Sequence, residues 1–152
     1  MAKAVEVATS DRDVEVATRL RMVIGRGARK LRAKGSGGLT QSQTSALIMV
    51  EASGPLRIGD LAAKEGVSAP TMTRIVAALH TFGHLTREPD PDDARSSFVS
   101  VSKQGRALLD RLRRDRTAYL AIRVAALDDA DRARLLDALP VLEALLRGGD
   151  ER

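Results

Sequence analysis

Apolar residues recur at helical spacing along most of this chain, and the pattern breaks at only a few places. From about Arg12 the positions Val16, Leu20, Val23/Ile24 and Leu31 mark one face of a first helix, which stops at the glycine-rich "AKGSGG" of residues 33–38. Residues 1–10 show no pattern and are expected to fray. Thr40 opens a second helix. Gln43 stands three residues on, a capping-box spacing, and Ala46, Leu47 and Val50 form the buried face. Gly54-Pro55 ends it. A short helix carrying Ile58, Leu61 and Ala62 follows and breaks at Gly66. Ser68 is expected to cap the next helix, with Pro70 in the first turn, Met72, Ile75, Val76 and Leu79 inward, and Gly83 at the end. Then the period changes from helical to alternating. Leu85 and Arg87 precede a turn rich in Asp and Pro, and Val99 and Val101 alternate with Phe98, Ser100 and Ser102, which predicts a hairpin with a long polar tip. Ser102 caps a long helix through Leu108/Leu109, Leu112, Tyr119/Leu120, Val124 and Leu127. A last helix starts at Asp128 and runs through Leu135, Leu139, Leu142 and Leu145/Leu146, and Pro140 within it is expected to remove a backbone bond and cause a kink.

One of these helices has a split character. In "GVSAPTMTRIVAAL", residues 66–79, the rear face is apolar, whereas the N-terminal end crowds Ser68, Thr71, Thr73 and Arg74. With the preceding short helix this forms a helix-turn-helix pattern: Ala62 is the small residue at the crossing, Gly66 makes the turn, and Leu61, Val67, Met72 and Ile75 fill the contact. Such a second helix enters a major groove by its N-terminal end. Short hydroxyls permit close approach to phosphates and base edges, and Arg74 has the reach for guanine O6 and N7 or for a phosphate. The competing explanation is that Ser68 is only a cap and the threonines only exposed surface. The hairpin that follows directly favours the first: helix-turn-helix plus hairpin is a winged helix. In its tip, "DPDDARS", Arg95 is placed for a minor groove, and Asp93 is placed to direct Arg95 through an ion pair. The opposing view is a solvated acidic turn, since Asp90, Asp92 and Asp93 are repelled by DNA.

Composition narrows the classes. The 152 residues suffice for one domain, and aromatics are only 2%, so the core is aliphatic and stacking platforms for single strands are lacking. The absence of cysteine excludes disulfides, thiol sensing and cysteine nucleophiles. Net charge is +5 and uneven: +5 over residues 1–38, +3 over 57–116 and −2 over 117–152. A positive body suits an anionic partner, or is simply a solvated helical surface. The first residues lack the apolar run of a signal peptide, and no stretch approaches the ~20 apolar residues of a membrane span, so a soluble cytoplasmic protein without membrane contact is expected. His80 and His84 stand at i,i+4, yet Gly83 interrupts the helix between them, so helix-end surface is favoured over a metal site. The run Arg111, Arg113, Arg114, Arg116 reads as a solvated helix face. Neither a nucleophile–base pair nor a phosphate loop is recognisable, which argues against an enzyme and against a cofactor.

The stretch "IGDLAAKEGVSAPTMTRIVAALHTFGHLTREPDPDDARSSFVSVSKQG", residues 58–105, resembles the MarR family of transcriptional regulators. The resemblance extends from about Arg12 to Leu146, and the "DPDDAR" tip followed by alternating residues and "SKQG" is its most specific part. It implies a mostly α fold with a small β-hairpin wing, one domain over residues 1–152. Residues 40–102 form a winged helix-turn-helix lobe, and residues 12–34 and 103–147 form a helical dimerisation lobe. It implies a homodimer binding double-stranded DNA at a near-palindromic operator, usually as a repressor released by a small-molecule effector. Matched residue by residue, the recognition contacts fall on Ser68, Ala69, Pro70, Thr71, Thr73 and Arg74, and the wing arginine and supporting aspartate on Arg95 and Asp93. Ala69 departs from the polar residue common at its place. The remaining alternatives are a winged-helix module that binds protein, or a small-molecule-binding module without specific DNA readout.

Overall fold

The computed structural model describes residues 9–91 and 96–147. The elements run α1 (Asp11–Ala33), α2 (Gln41–Ser53), β1 (Leu56–Arg57), α3 (Ile58–Lys64), α4 (Ala69–Thr81), β2 (Leu85–Pro89), β3 (Ser97–Val101), α5 (Lys103–Ala125) and α6 (Asp129–Arg147). The helices and the hairpin fall where the periodicity predicts them, and the fold is mostly α with a small antiparallel sheet. Local chemistry sets the boundaries. Thr40 and Gln43 form the reciprocal capping box of α2, and the Ser102 hydroxyl accepts from the Gly105 amide at the start of α5. Ser10 and Asp13 form a second box that opens α1, so order begins inside the stretch expected to fray. Ser68 is the N-cap residue of α4 but makes no side-chain cap bond, contrary to expectation. Its hydroxyl lies 2.9 Å from that of Thr71 instead. Helix α6 is continuous across Pro140.

The wing is a three-stranded sheet in the order β1-β3-β2, not the expected two-stranded hairpin alone. The two residues of β1 pair with β3 through Leu56↔Val99 and Arg57↔Phe98. The core lies beneath this sheet and the helix-turn-helix: Leu47, Leu61, Met72, Leu79, Leu85 and Val99 are fully buried there, joined from α5 by Leu108, Leu109 and Leu112. Gly105 permits the junction of α5 with the β2 turn, because a Cβ there would stand 2.2 Å from the His84 carbonyl oxygen. The glycine stretch after α1 is a packed turn rather than a linker. Gly37 has φ +59, and a side chain on it would meet Leu108 Cδ1 at 2.4 Å.

The terminal helices are different. Neither α1 nor α6 has a buried residue, while Val23, Leu136, Val141, Leu145 and Leu146 are each more than half exposed. An apolar cleft of about 670 Å³ opens between α5 and α6, lined by Leu120, Val124, Leu135, Leu136 and Leu139. No helix among the described residues is long and apolar enough to cross a membrane.

Candidate nucleic-acid interface

Helix α4 is held by its rear face and presents its front. Met72, Val76 and Leu79 are buried, and Ile75 and Val67 pack against the same cluster. Gly66, at φ +64, turns the chain from α3, and the Val67 amide donates to the Ala62 carbonyl at 3.0 Å, locking the turn. Ala62 is 4% exposed at the crossing, the small residue that spacing demanded. Ser68, Ala69, Pro70, Thr71, Thr73 and Arg74 are all exposed, so these six lie together on one open end of one helix. Their hydroxyls are partly committed. The Thr73 hydroxyl donates to the Ala69 carbonyl at 2.9 Å, which leaves its lone pairs and methyl group outward. Ser68 and Thr71 share one hydroxyl–hydroxyl bond. No side-chain cap bond engages the first-turn amides of α4, to which Pro70 contributes no N–H.

Asp93 and Arg95 lie outside the described residues. The base of the wing is described. The hairpin pairs from Leu85↔Val101 to Pro89↔Ser97, and the Asp90 amide closes it by donating to the Ser96 carbonyl at 3.2 Å. Asp90 itself departs from the reading of an acidic, solvated turn. It is 3% exposed, the buried charged residue among those described, and it accepts from Arg57 Nε at 2.5 Å. Charge-based reading missed it because the partner is 33 residues upstream. A cation placed at the N-cap of α3, where a helix dipole disfavours it, is the one available signal.

The arginines of α5 also depart from a uniform solvated face. Arg113 pairs with Glu51 of α2 and with Asp110. The Glu51 carboxylate, through hydrogen bonding and charge, raises the Arg113 guanidinium above its usual range. Arg116 donates to the Gly35 carbonyl at 3.4 Å, while its buried Nε has no partner among the described residues. Beside it a cavity of about 410 Å³ opens between the end of α1, α2 and α5, lined by Arg32, Leu39, Thr44, Ser45, Ile48 and Arg116. Nearby, Tyr119 is covered by Lys34 Nζ at 5.3 Å and the Arg123 guanidinium at 3.5 Å from the ring centroid. His80 lies in the last turn of α4, whereas His84 follows Gly83, at φ +75, with its ring centroid 6.3 Å from that of Phe82. The two histidines therefore do not share a helix face. Burial lowers the His84 pKa from its ordinary value.

The MarR family profile matches residues 39–97, which span the helix-turn-helix and most of the wing. An HTH-type transcriptional regulator of Mycobacterium tuberculosis is 37% identical over 137 residues, covering 90% of this chain and 96% of its own. The chain belongs to the MarR family. Its architecture is that of other MarR-like regulators: a transcriptional regulator from Pseudomonas aeruginosa superposes with a TM-score of 0.79 at 27% identity, over 91% of this chain and 98% of its own. A MepR variant from S. aureus, solved bound to an oligodeoxyribonucleotide, shares the fold with a TM-score of 0.68 at 18% identity, over 86% of this chain and 97% of its own. This MarR-family chain is a DNA-binding helix-turn-helix transcriptional regulator, not an enzyme.

Proposed function

We propose that this regulator is a homodimeric repressor that reads a near-palindromic operator and releases it when a small molecule binds. The observation that carries the reading is the open N-terminal end of α4, where six residues of the recognition set are exposed on a helix fixed by its buried rear face. Arg74 reads guanine or holds a phosphate. Thr71 and Thr73 offer oxygen acceptors and methyl groups, and Ser68, Ala69 and Pro70 let the backbone approach. Residues 40–102 are the DNA-binding lobe. Residues 12–34 and 103–147 are the dimerisation lobe, a role that the exposed leucines of α6 and the cleft beside α5 support. In an isologous dimer the two α4 helices sit ~34–36 Å apart, one helical turn of DNA. The wing adds Arg95 in the minor groove, directed by Asp93. The cavity between α1, α2 and α5 is where the effector binds, since both lobes contribute to its walls. The protein acts in the cytoplasm, where its DNA is.

The test is selection of duplexes from a random pool by the purified protein, followed by affinity measurements over a range of salt. The reading expects an enriched near-palindrome, preferred over random duplex by ~10³-fold or more, with affinity falling steeply as salt rises. Arg95→Ala is expected to flatten that salt slope by about one counterion. Asp93→Ala is expected to weaken binding although it deletes a negative charge. Enrichment of no sequence sinks the specific-operator reading.

A further inference from the structure

We infer that the Arg57–Asp90 ion pair is a latch that positions the wing for DNA, with Asp90 a positioning residue and not a surface charge. The inference rests on the DNA-binding reading above. Asp90 follows β2 and Arg57 ends β1, and these are the two outer strands of the sheet. The pair therefore crosses the whole sheet. Arg57 reaches over the central strand with its guanidinium 5.3 Å from the Phe98 ring, and Phe98 is its register partner on β3. The Asp90 carboxylate has a side-chain exposure of 0%, whereas the Arg57 side chain is 45% exposed. A carboxylate this buried needs its countercharge, so its place fixes Arg57. Arg57 is also the N-cap residue of α3. One charge pair thus ties the base of the wing to the first residue of the helix-turn-helix. The chain between the hairpin-closing residues Asp90 and Ser96 is the segment that carries Asp93 and Arg95. The described base of the hairpin is closed by the Asp90 amide on the Ser96 carbonyl, so the latch sets where the base of the wing stands relative to α4.

The sign of the effect separates this role from simple electrostatics. If Asp90 only repels phosphates, its neutralisation tightens binding. If it holds the wing, its neutralisation weakens binding.

Two measurements decide it. In the free protein, amide hydrogen exchange is compared for wild type, Asp90→Asn, Arg57→Lys and the double variant Arg57→Gln/Asp90→Asn. On DNA, a duplex selected from a random pool by the wild-type protein is used for affinity and for hydroxyl-radical footprints. The latch expects Asp90→Asn to speed exchange at Asp90 and Phe98 while the buried turns of α4 keep their protection. It expects affinity to fall about tenfold or more, with loss of the minor-groove footprint before that of the major groove. The double variant falls no further than the larger single loss, because the two residues act as one unit. Arg57→Lys, which keeps the charge and loses the Nε donor, retains fold and falls in between; it supplies the answer if Asp90→Asn does not fold. Tighter binding by Asp90→Asn, unchanged wing exchange, or equal loosening of α4 overturns the latch. If wild type selects no duplex while the wing still loosens in Asp90→Asn, the DNA-binding reading has failed, the pair is structural only, and the positioning role falls with it.

Discussion

Single side chains at the front and back of α4 are expected to answer to different measurements. Arg74→Ala is expected to weaken operator binding by ~1–3 kcal/mol per half-site, with little change in melting, because the side chain is exposed and touches nothing in the core. An equal loss of stability and affinity refutes a reading role for Arg74. Gly105→Ala is expected to do the reverse. Its Cβ would collide with a backbone oxygen rather than a movable side chain, so melting should fall by several degrees, corresponding to ~1–3 kcal/mol. His84 gives a pH signature. Its folded pKa is depressed by burial, so the unfolded chain binds the extra proton first, and stability falls as pH drops through the ordinary histidine value toward the folded one. His84→Gln is expected to flatten that part of the stability–pH curve, checked by thermal melts from neutral to mildly acidic pH.

Elements were legible in proportion to their length and periodicity. The helices carry several turns of apolar spacing each, and β3 carries clear alternation, so both were read directly from residues such as Leu47, Leu79, Val99 and Val101. Strand β1 has two residues, too few for any period, and it exists only because Leu56 and Arg57 pair with a strand some forty residues later. The exposed polar end of α4 was legible because polar residues on one end of an amphipathic helix violate its pattern. Asp90 was not, since carboxylates in a Pro- and Asp-rich turn read as solvated until a distant arginine is seen to bury one. Likewise the glycines after α1 read as a helix stop, yet they form a turn packed against Leu108, with Gly37 at φ +59. At this scale the α3–α4 crossing is the sensitive joint. Ala62→Leu is expected to overpack it at a cost of ~1–3 kcal/mol and to lower DNA affinity together with stability, unlike any change on the exposed end of α4. Urea titration beside DNA titration checks the coupling.

For the whole molecule, the described chain leaves α1 and α6 without a buried residue while the winged lobe has a complete aliphatic core. If a second copy covers that surface, as proposed, melting temperature rises with protein concentration, and Leu136→Asp with Leu146→Asp gives a species of half the mass by light scattering. A monomeric wild type at micromolar concentration with full helicity removes the dimer from the account. The cation-covered Tyr119 has a consequence of an optical kind. It is the single tyrosine of a chain without tryptophan, so the ultraviolet emission of the protein originates almost wholly at one ring. That ring lies three residues from Arg116 in the cavity wall and beneath Lys34, which closes α1. Any small molecule that moves the end of α1 against α5 alters how closely the two cations cover the ring. Its brightness then reports occupancy without a dye, a label or knowledge of the operator.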